Sequence, residues 1–240
     1  MVVILLVSLA ALVTPGTARA QEQDWLMCVN RGNRYAPQAQ IGGCTAFIAS
    51  GGVARAQLIA AYVQRGNVYS DQKQYDLAVA DYSQALKLDP ENVTAYIDRA
   101  VAYNNKKDYA HAIADCTQAI KRKPDYTLAY LNRGRNFLQK GDGAAAARDF
   151  TFLLKLNPDS FVLYVYRGTA YLRSGAFAKA RADFETAMAR NPHLAAAARF
   201  GRGIARLRTG DADGGKADIA AAQALQADIA AIYEDFGVKP

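Results

Sequence analysis

The chain has 240 residues, 51% of them apolar and 21% charged, a balance that buries a core and excludes a disordered polymer. Twenty-nine Lys and Arg against 22 Asp and Glu give a formal charge of +7, but the basic residues are scattered and form no stripe with stacking aromatics, so nucleic acid is not an expected partner. Two histidines, His111 and His193, lack metal-ligand spacing, and there is no phosphate loop or nucleophile motif, so no cofactor and no catalysis are expected.

Residues 1–20, MVVILLVSLAALVTPGTARA, stand apart from the rest. An apolar run from Val2 to Val13 precedes Pro15 and Gly16, and Ala18-Arg19-Ala20 comes next as a small-x-small cleavage site. This is the pattern of a secretory signal peptide, although no Lys or Arg precedes the run. The run is shorter than the ~20 residues that span a bilayer, so an uncleaved membrane anchor is the alternative reading. Export to a bacterial periplasm is the expectation, and loss of Arg19 would take the charge from +7 to +6.

Residues 21–58 read as a divergent N-terminal hairpin of helices that caps the rest of the chain. GGCTAFIASG (residues 42–51) parallels ADCTQAIKRK (residues 114–123), setting Cys44 opposite Cys116, with Cys28 sixteen residues earlier. Two cysteines on facing helices of an exported chain predict a disulfide, the alternative being two unpaired buried thiols. Cys116 stands at a core position and is expected to be an inert thiol.

Four units then succeed one another at a period of 34: residues 59–92, 93–126, 127–160 and 161–194. Position 4 is Tyr62, Tyr96, Tyr130 and Tyr164; position 8 is Gly66, Ala100, Gly134 and Gly168; position 11 is Tyr69, Tyr103, Phe137 and Tyr171. Position 20 is Ala78, Ala112, Ala146 and Ala180, position 24 is Tyr82, Cys116, Phe150 and Phe184, and Pro90, Pro124, Pro158 and Pro192 close the units. Positions 4, 8 and 11 share one stripe of a first helix, and 20 and 24 one stripe of a second. Small residues permit close approach, aromatics fill the space beside them, and the proline ends each hairpin. One hairpin cannot bury its own apolar face, so the units must stack. A fifth unit, residues 195–227, is degenerate: Gly203 and Gly210 persist, Arg199 and Arg206 replace aromatics, and Ala227 replaces the proline. Residues 228–240 begin with DIAAIYEDF, a short amphipathic helix expected to cover the last hairpin.

A second regularity accompanies the first. Arg65, Arg99, Arg133, Arg167 and Arg202 are each followed sixteen residues later by Asp81, Asp115, Asp149, Asp183 and Asp218. A lone charge beside a packed stripe is costly and its partner recurs, so a structural ladder of Arg–Asp pairs is expected rather than a row of ligand-binding arginines.

The 34-residue pattern closely resembles the tetratricopeptide repeat (TPR) family over residues 59–227. The resemblance implies an all-α fold, a right-handed α-solenoid of helical hairpins with a concave groove that binds a protein or peptide segment, and hence a non-catalytic scaffold or adaptor. It also implies that first-helix positions 5, 9, 12 and 13 face the groove. In this sequence they are Val63, Asn67, Ser70 and Asp71; Ile97, Val101, Asn104 and Asn105; Leu131, Arg135, Leu138 and Gln139; Val165, Thr169, Leu172 and Arg173; with Phe200, Ile204, Leu207 and Arg208 from the fifth unit. Such a groove is polar near Asn67 and Asn104, and apolar with basic edges near Arg135, Arg173 and Arg208, which suits an apolar segment with acidic character. The lysine-and-asparagine clamp with which some members hold C-terminal carboxylates is not reproduced. A membrane-tethered assembly factor with an uncleaved N-terminus and an accessory subunit of an enzyme complex are the rival readings.

Overall fold

A computed structural model of the chain describes residues 15–191 and 196–240. The described residues form thirteen α-helices and no strand. The apolar run Val2–Val13, Pro192 and His193 lie outside them. No helix among the described residues is long and apolar enough to cross a membrane. The chain divides into two compact units, Met1–Pro90 and Glu91–Pro240.

In the first unit, α1 (Pro15–Val29) and α2 (Pro37–Ala49) form one hairpin, and α3 (Arg55–Asp71) and α4 (Tyr75–Leu88) form the next. Helix α1 starts at Pro15 and runs without a break through Ala20, where the sequence predicts a cleavage site. Pro37 opens α2 at its first turn, where a missing N–H costs nothing. Gln21 donates to the Ser50 hydroxyl at 2.8 Å and to the Gly51 carbonyl at 3.0 Å, tying α1 to the end of α2. The core is small: Cys28, Cys44, Phe47 and Ala61 are buried, with Trp25 5.0 Å from the Phe47 ring. Helix α3 begins at Arg55, four residues ahead of the repeat boundary read from the period.

The second unit holds four hairpins: α5 (Val93–Asn105) with α6 (Tyr109–Arg122), α7 (Thr127–Lys140) with α8 (Gly143–Leu156), α9 (Phe161–Arg173) with α10 (Phe177–Arg190), and α11 (Ala196–Arg208) with α12 (Ala212–Leu225). A short helix of about two turns, α13 (Ile229–Asp235), comes last. The start signals are local. Asn92, Ser160, Asp108, Asp142 and Asp211 each accept a bond from the backbone N–H three residues on, satisfying one of the otherwise orphaned donors of a helix start.

The turn between the two helices of a hairpin needs one left-handed residue. Gly141, Gly175 and Gly210 supply it, with φ of 96°, 75° and 92°, while Lys73 and Lys107 adopt it at 60° and 61° in their own repeats. Within the second unit the first helices α5, α7, α9 and α11 lie side by side, so one face of each is free to line a common surface.

Candidate peptide-binding groove

Which face of each first helix stays open is decided by what the other faces must pack. At position 8, a Cβ placed on Gly66, Gly134 or Gly168 would stand 2.8 Å from the ring of Tyr82, Phe150 or Phe184, sixteen residues on. The same offset brings Gly203 to Ile219. Where position 8 carries a methyl, at Ala100, position 24 is the small Cys116, and both are buried in one cluster. In the first hairpin the two sites are Cys28 and Cys44, and their sulfurs are bonded. Cys116 is a free, buried thiol, and burial pushes its pKa up to about 12, so it has no nucleophilic character at neutral pH.

The neighbouring stripe carries the charges. Arg65, Arg99, Arg133, Arg167 and Arg202 each donate through Nε and Nη2 to both carboxylate oxygens of Asp81, Asp115, Asp149, Asp183 and Asp218, at 2.7–2.9 Å. Each pair joins the two helices of one hairpin. Arg65, Arg133 and Arg167 also reach the hairpin before, where Thr45, Thr117 and Thr151 accept from them. The aspartates are only 5–7% exposed, which makes the fork geometry necessary: an ion taken this far out of water must be paired at both oxygens. Those hydrogen bonds raise the guanidinium pKa of Arg65, Arg133, Arg167 and Arg202. At Arg99 burial opposes the charge most strongly, and the bonds to Asp115 still leave its pKa raised. Arg206, where other units have an aromatic, donates to Asp218 as well, at 3.0 Å. The five arginines are consumed by this ladder.

The remaining face is the candidate groove. In the second unit it holds two adjoining cavities, and Arg135 lines both. One, about 230 Å³, is walled by Asn104, Asn105, Asn132 and Asn136, with Val101 at its edge. Asn104 donates to Asn136 at 2.7 Å and to Gln139 at 2.6 Å, and Asn136 donates to the Asn132 carbonyl, so the amides hold one another in place. The other cavity, about 420 Å³, has a floor of Phe161, Val165, Tyr166 and Thr169 from α9 and a wall of Ile232, Asp235 and Phe236 from α13 and the residue after it. The Arg135 guanidinium lies 6.0 Å from the Tyr166 ring centroid.

Several groove positions read from the sequence turn out otherwise. Ile97 and Phe200 are core residues, 3% and 0% exposed: Ile97 packs with Ala100 and Ala129, and the Phe200 ring lies 5.1 Å from Tyr233 of α13. Leu138, Leu172 and Ile204 are buried for the same reason, since their stripe turns toward the neighbouring helices. Thr169 is also buried and donates back to the Val165 carbonyl at 2.8 Å. Leu131 lines a third, apolar cavity with Leu128, Leu153 and Leu156, which shares Val162 and Tyr166 with the larger groove cavity. Arg173 and Arg208 meet residues 237–239 of the chain itself. In the first unit, Val63 is half-buried and Asn67 accepts from the Tyr82 hydroxyl at 2.8 Å.

Sequence reasoning missed Asn132, Asn136, Tyr166 and the α13 wall. Asn132 and Asn136 carry a signal, being one turn apart on α7 and adjacent to positions 5 and 9. The α13 wall carries none: α13 lies against α11 and α12 of the last hairpin, but the cavity it walls is floored by α9, a pairing that no period indicates. Tyr233 donates to the Ala197 carbonyl at 2.7 Å. Burial pushes the Tyr233 phenol pKa well above its ordinary value, so it remains a donor throughout the usual pH range.

Among known proteins, a TPR repeat model matches residues 66–107, and tetratricopeptide repeat models match residues 93–126, 131–193 and 166–229. No curated protein sequence matches the chain. Among solved structures, a MamA protein superposes with a TM-score of 0.64 at 21% identity, covering 75% of this chain and 97% of its own. MamA from Desulfovibrio magneticus RS-1, from residue 41 to its end, gives 0.66 at 15% identity, covering 73% and 97%. YrrB, described as a TPR protein with an unusual peptide-binding site, gives 0.61 at 19% identity, covering 73% and 94%. At these identities the likeness is one of fold. Repeat pattern, matched models and hairpin geometry agree, and the chain belongs to the tetratricopeptide repeat family.

Proposed function

We propose that this protein is a non-catalytic scaffold that holds an extended segment of a partner protein across α7 and α9. The observation that carries the reading is the position of Arg135, exposed and common to a cavity walled by amides and a cavity floored by apolar and aromatic groups. Amide side chains can pair with a ligand's backbone at one end, apolar side chains can enter at the other, and a cation between them favours an acidic residue at the join. A peptide-binding site is printed in the description of one structural neighbour, YrrB, which shares the fold. The same reading places the protein outside the cytosol after removal of residues 1–20. The apolar run, the Ala18-Arg19-Ala20 site and the cysteine pair support that placement.

The test is selection of peptides from a random library on the wild-type protein, followed by binding to Arg135→Glu. Reversal of an exposed charge is expected to leave the melting midpoint in place and to weaken the selected peptides about tenfold or more, as a cross-interface charge pair becomes a repulsion. Equal affinity for both proteins would remove the α7–α9 assignment. N-terminal sequencing of the exported protein tests processing at Ala20, and a mature chain that still begins at Met1 would favour the membrane-tethered alternative.

A further inference from the structure

A further cavity, about 410 Å³, shares no lining residue with the two cavities of the groove. It lies between α8 on one side and the end of α9 with the first turn of α10 on the other. Ala144, Ala147 and Ala176 leave the space open, and the half-buried rings of Phe152 and Tyr171 wall it. Phe152 is held by stacking on Tyr130, with ring centroids 4.1 Å apart. Beside the rings stand three exposed cations, Arg148, Lys155 and Lys179, and no Asp or Glu lines the cavity. The neighbouring ion pairs are Arg167 with Asp183, Arg181 with Glu185 and Arg190 with Asp159. Among the described residues, none of the three cations has a carboxylate partner; the Lys179 ammonium lies instead 5.7 Å from the Tyr171 ring centroid. The repeat does not demand these charges. One repeat earlier, the residues at the register of Arg148, Lys155, Ala176 and Lys179 are Ala114, Lys121, Asp142 and Ala145. A lysine and an aspartate there become three cations and no acid here.

We propose that this cleft is a second partner site, which takes an acidic protein segment with an aromatic or aliphatic side chain between two carboxylates. The apolar side chain enters against Phe152 and Tyr171, where it leaves water, and the carboxylates meet the cations at the rim. Arg148 and Lys155 stand two turns apart on α8, about 10 Å, or roughly three residues of extended chain. Carboxylates three residues apart match that spacing, whereas one compact anion such as phosphate reaches only part of the set. A recess with apolar walls also suits a protruding side chain better than a flat lipid surface. Three uncompensated cations repel one another, and a bound acidic segment relieves the repulsion, so binding weakens as salt screens it. With the groove over α7 and α9, the protein then has separate sites for two partners, the arrangement of an adaptor. The cleft does not depend on the groove, since Arg135 lines no part of it.

The probes are fluorescent peptides Ser-Glu-Ala-X-Glu-Ser, with X as Phe, Tyr or Leu, and the same peptides with glutamine in place of both glutamates. At least one glutamate peptide is expected to bind the full chain about tenfold more tightly than its glutamine counterpart, with the preference shrinking as salt rises. Arg148→Glu with Lys179→Glu should abolish that preference and leave the melting midpoint in place, since both side chains are exposed. Ala144→Trp sets a ring in the cavity at unchanged charge and should weaken the same peptide about tenfold, as one apolar side chain loses its place. Undiminished binding to Ala144→Trp would mean attraction by charge alone and would overturn the proposal, as would equal affinity for glutamate and glutamine peptides. Arg135→Glu should leave the binding unchanged, and a loss there would place the peptide in the groove instead. Binding of no peptide would also overturn it. If phosphatidylglycerol vesicles then sediment the wild type but not the doubly reversed variant, the cations serve a lipid surface. Failure to select Arg135-dependent peptides would fault the groove alone.

Discussion

Arg133 and Asp149 show at the scale of single residues how the sequence encodes a contact. Their offset of sixteen spans one hairpin, so the contact is local in the chain and recurs wherever the hairpin does. Arg133→Ala leaves Asp149 buried without its partner and is expected to cost about 3–5 kcal/mol, while Arg133→Ala with Asp149→Ala should cost less than the sum of the single changes. Chemical denaturation of the four proteins measures the coupling, and strict additivity would contradict the pairing. The glycine and the ring at positions 8 and 24 form a second coupled pair. Gly134→Ala drives a methyl into Phe150 and should cost about 1–3 kcal/mol by overpacking. In a Phe150→Cys background the same methyl should cost much less, since Ala100 and Cys116 already coexist in the preceding repeat. Melting curves of the four proteins test this. Asp98 is a third case. Burial raises its carboxyl pKa from 3.8 to about 6, so the folded state holds a proton that the unfolded state releases more readily. Its contribution is fully present below pH 3.8 and is lost as the pH rises through 6. Asp98→Asn should therefore stabilise by about 1–2 kcal/mol at pH 8, allowing for solvent screening, and make no difference near pH 3.5. A gain of the same size at both pH values would mean that its charge is not the cause.

At the scale of elements, the first hairpin replaces packing with a covalent bond. Its core is the smallest of the clusters, and Cys28 and Cys44 occupy the sites filled by a small residue and a ring elsewhere. A loop of this length stabilises by about 3 kcal/mol in the chain-entropy description. In a stacked array each hairpin depends on its neighbours, so Cys28→Ser should loosen α1 and α2 first and leave α7 to α10 intact. Amide hydrogen exchange is the readout, and uniform loss of protection would show a single cooperative unit instead. The hairpin turns are the second element-scale feature. Lys73 and Lys107 hold the left-handed conformation that glycine takes in the other repeats. Lys107→Gly relieves that strain but frees the unfolded chain, so a small net gain, at most about 1 kcal/mol, is expected from its melting midpoint. Gly141, Gly175 and Gly210 recur at this register. The helix starts are less regular: asparagine, aspartate and serine caps mark α5, α6, α8, α9 and α12, whereas α3 runs four residues beyond the repeat frame.

At the scale of the molecule, the path of residues 229–240 walls one cavity of the candidate groove. Tyr233 of α13 is buried with its hydroxyl bonded to the Ala197 carbonyl, so Tyr233→Ala removes a ring and a hydrogen bond from one core. A loss of about 3–5 kcal/mol is expected, with increased exchange in α11 and α13 and little change in α5 and α6. Exchange that rises equally in α5 would show that α13 supports the whole second unit.

Taken by itself, the sequence determined the period, the all-α hairpins, the family and the five Arg–Asp partners. Each of these depends on contacts within a few tens of residues, and repetition multiplies a weak local signal into a clear one. Only the tertiary structure decided which stripe of each first helix remains open. Ile97 and Phe200 share a register position with Val165, yet they are core while Val165 lines a cavity, because the helix beside each one differs. The contacts of residues 229–240 were beyond sequence reasoning for the same reason. Gly237 meets Arg173 across 64 residues, and Tyr233 meets Ala197 across 36, distances over which no periodicity carries information. Local repetition writes the solenoid, and the non-local packing of residues 229–240 closes one side of the candidate groove.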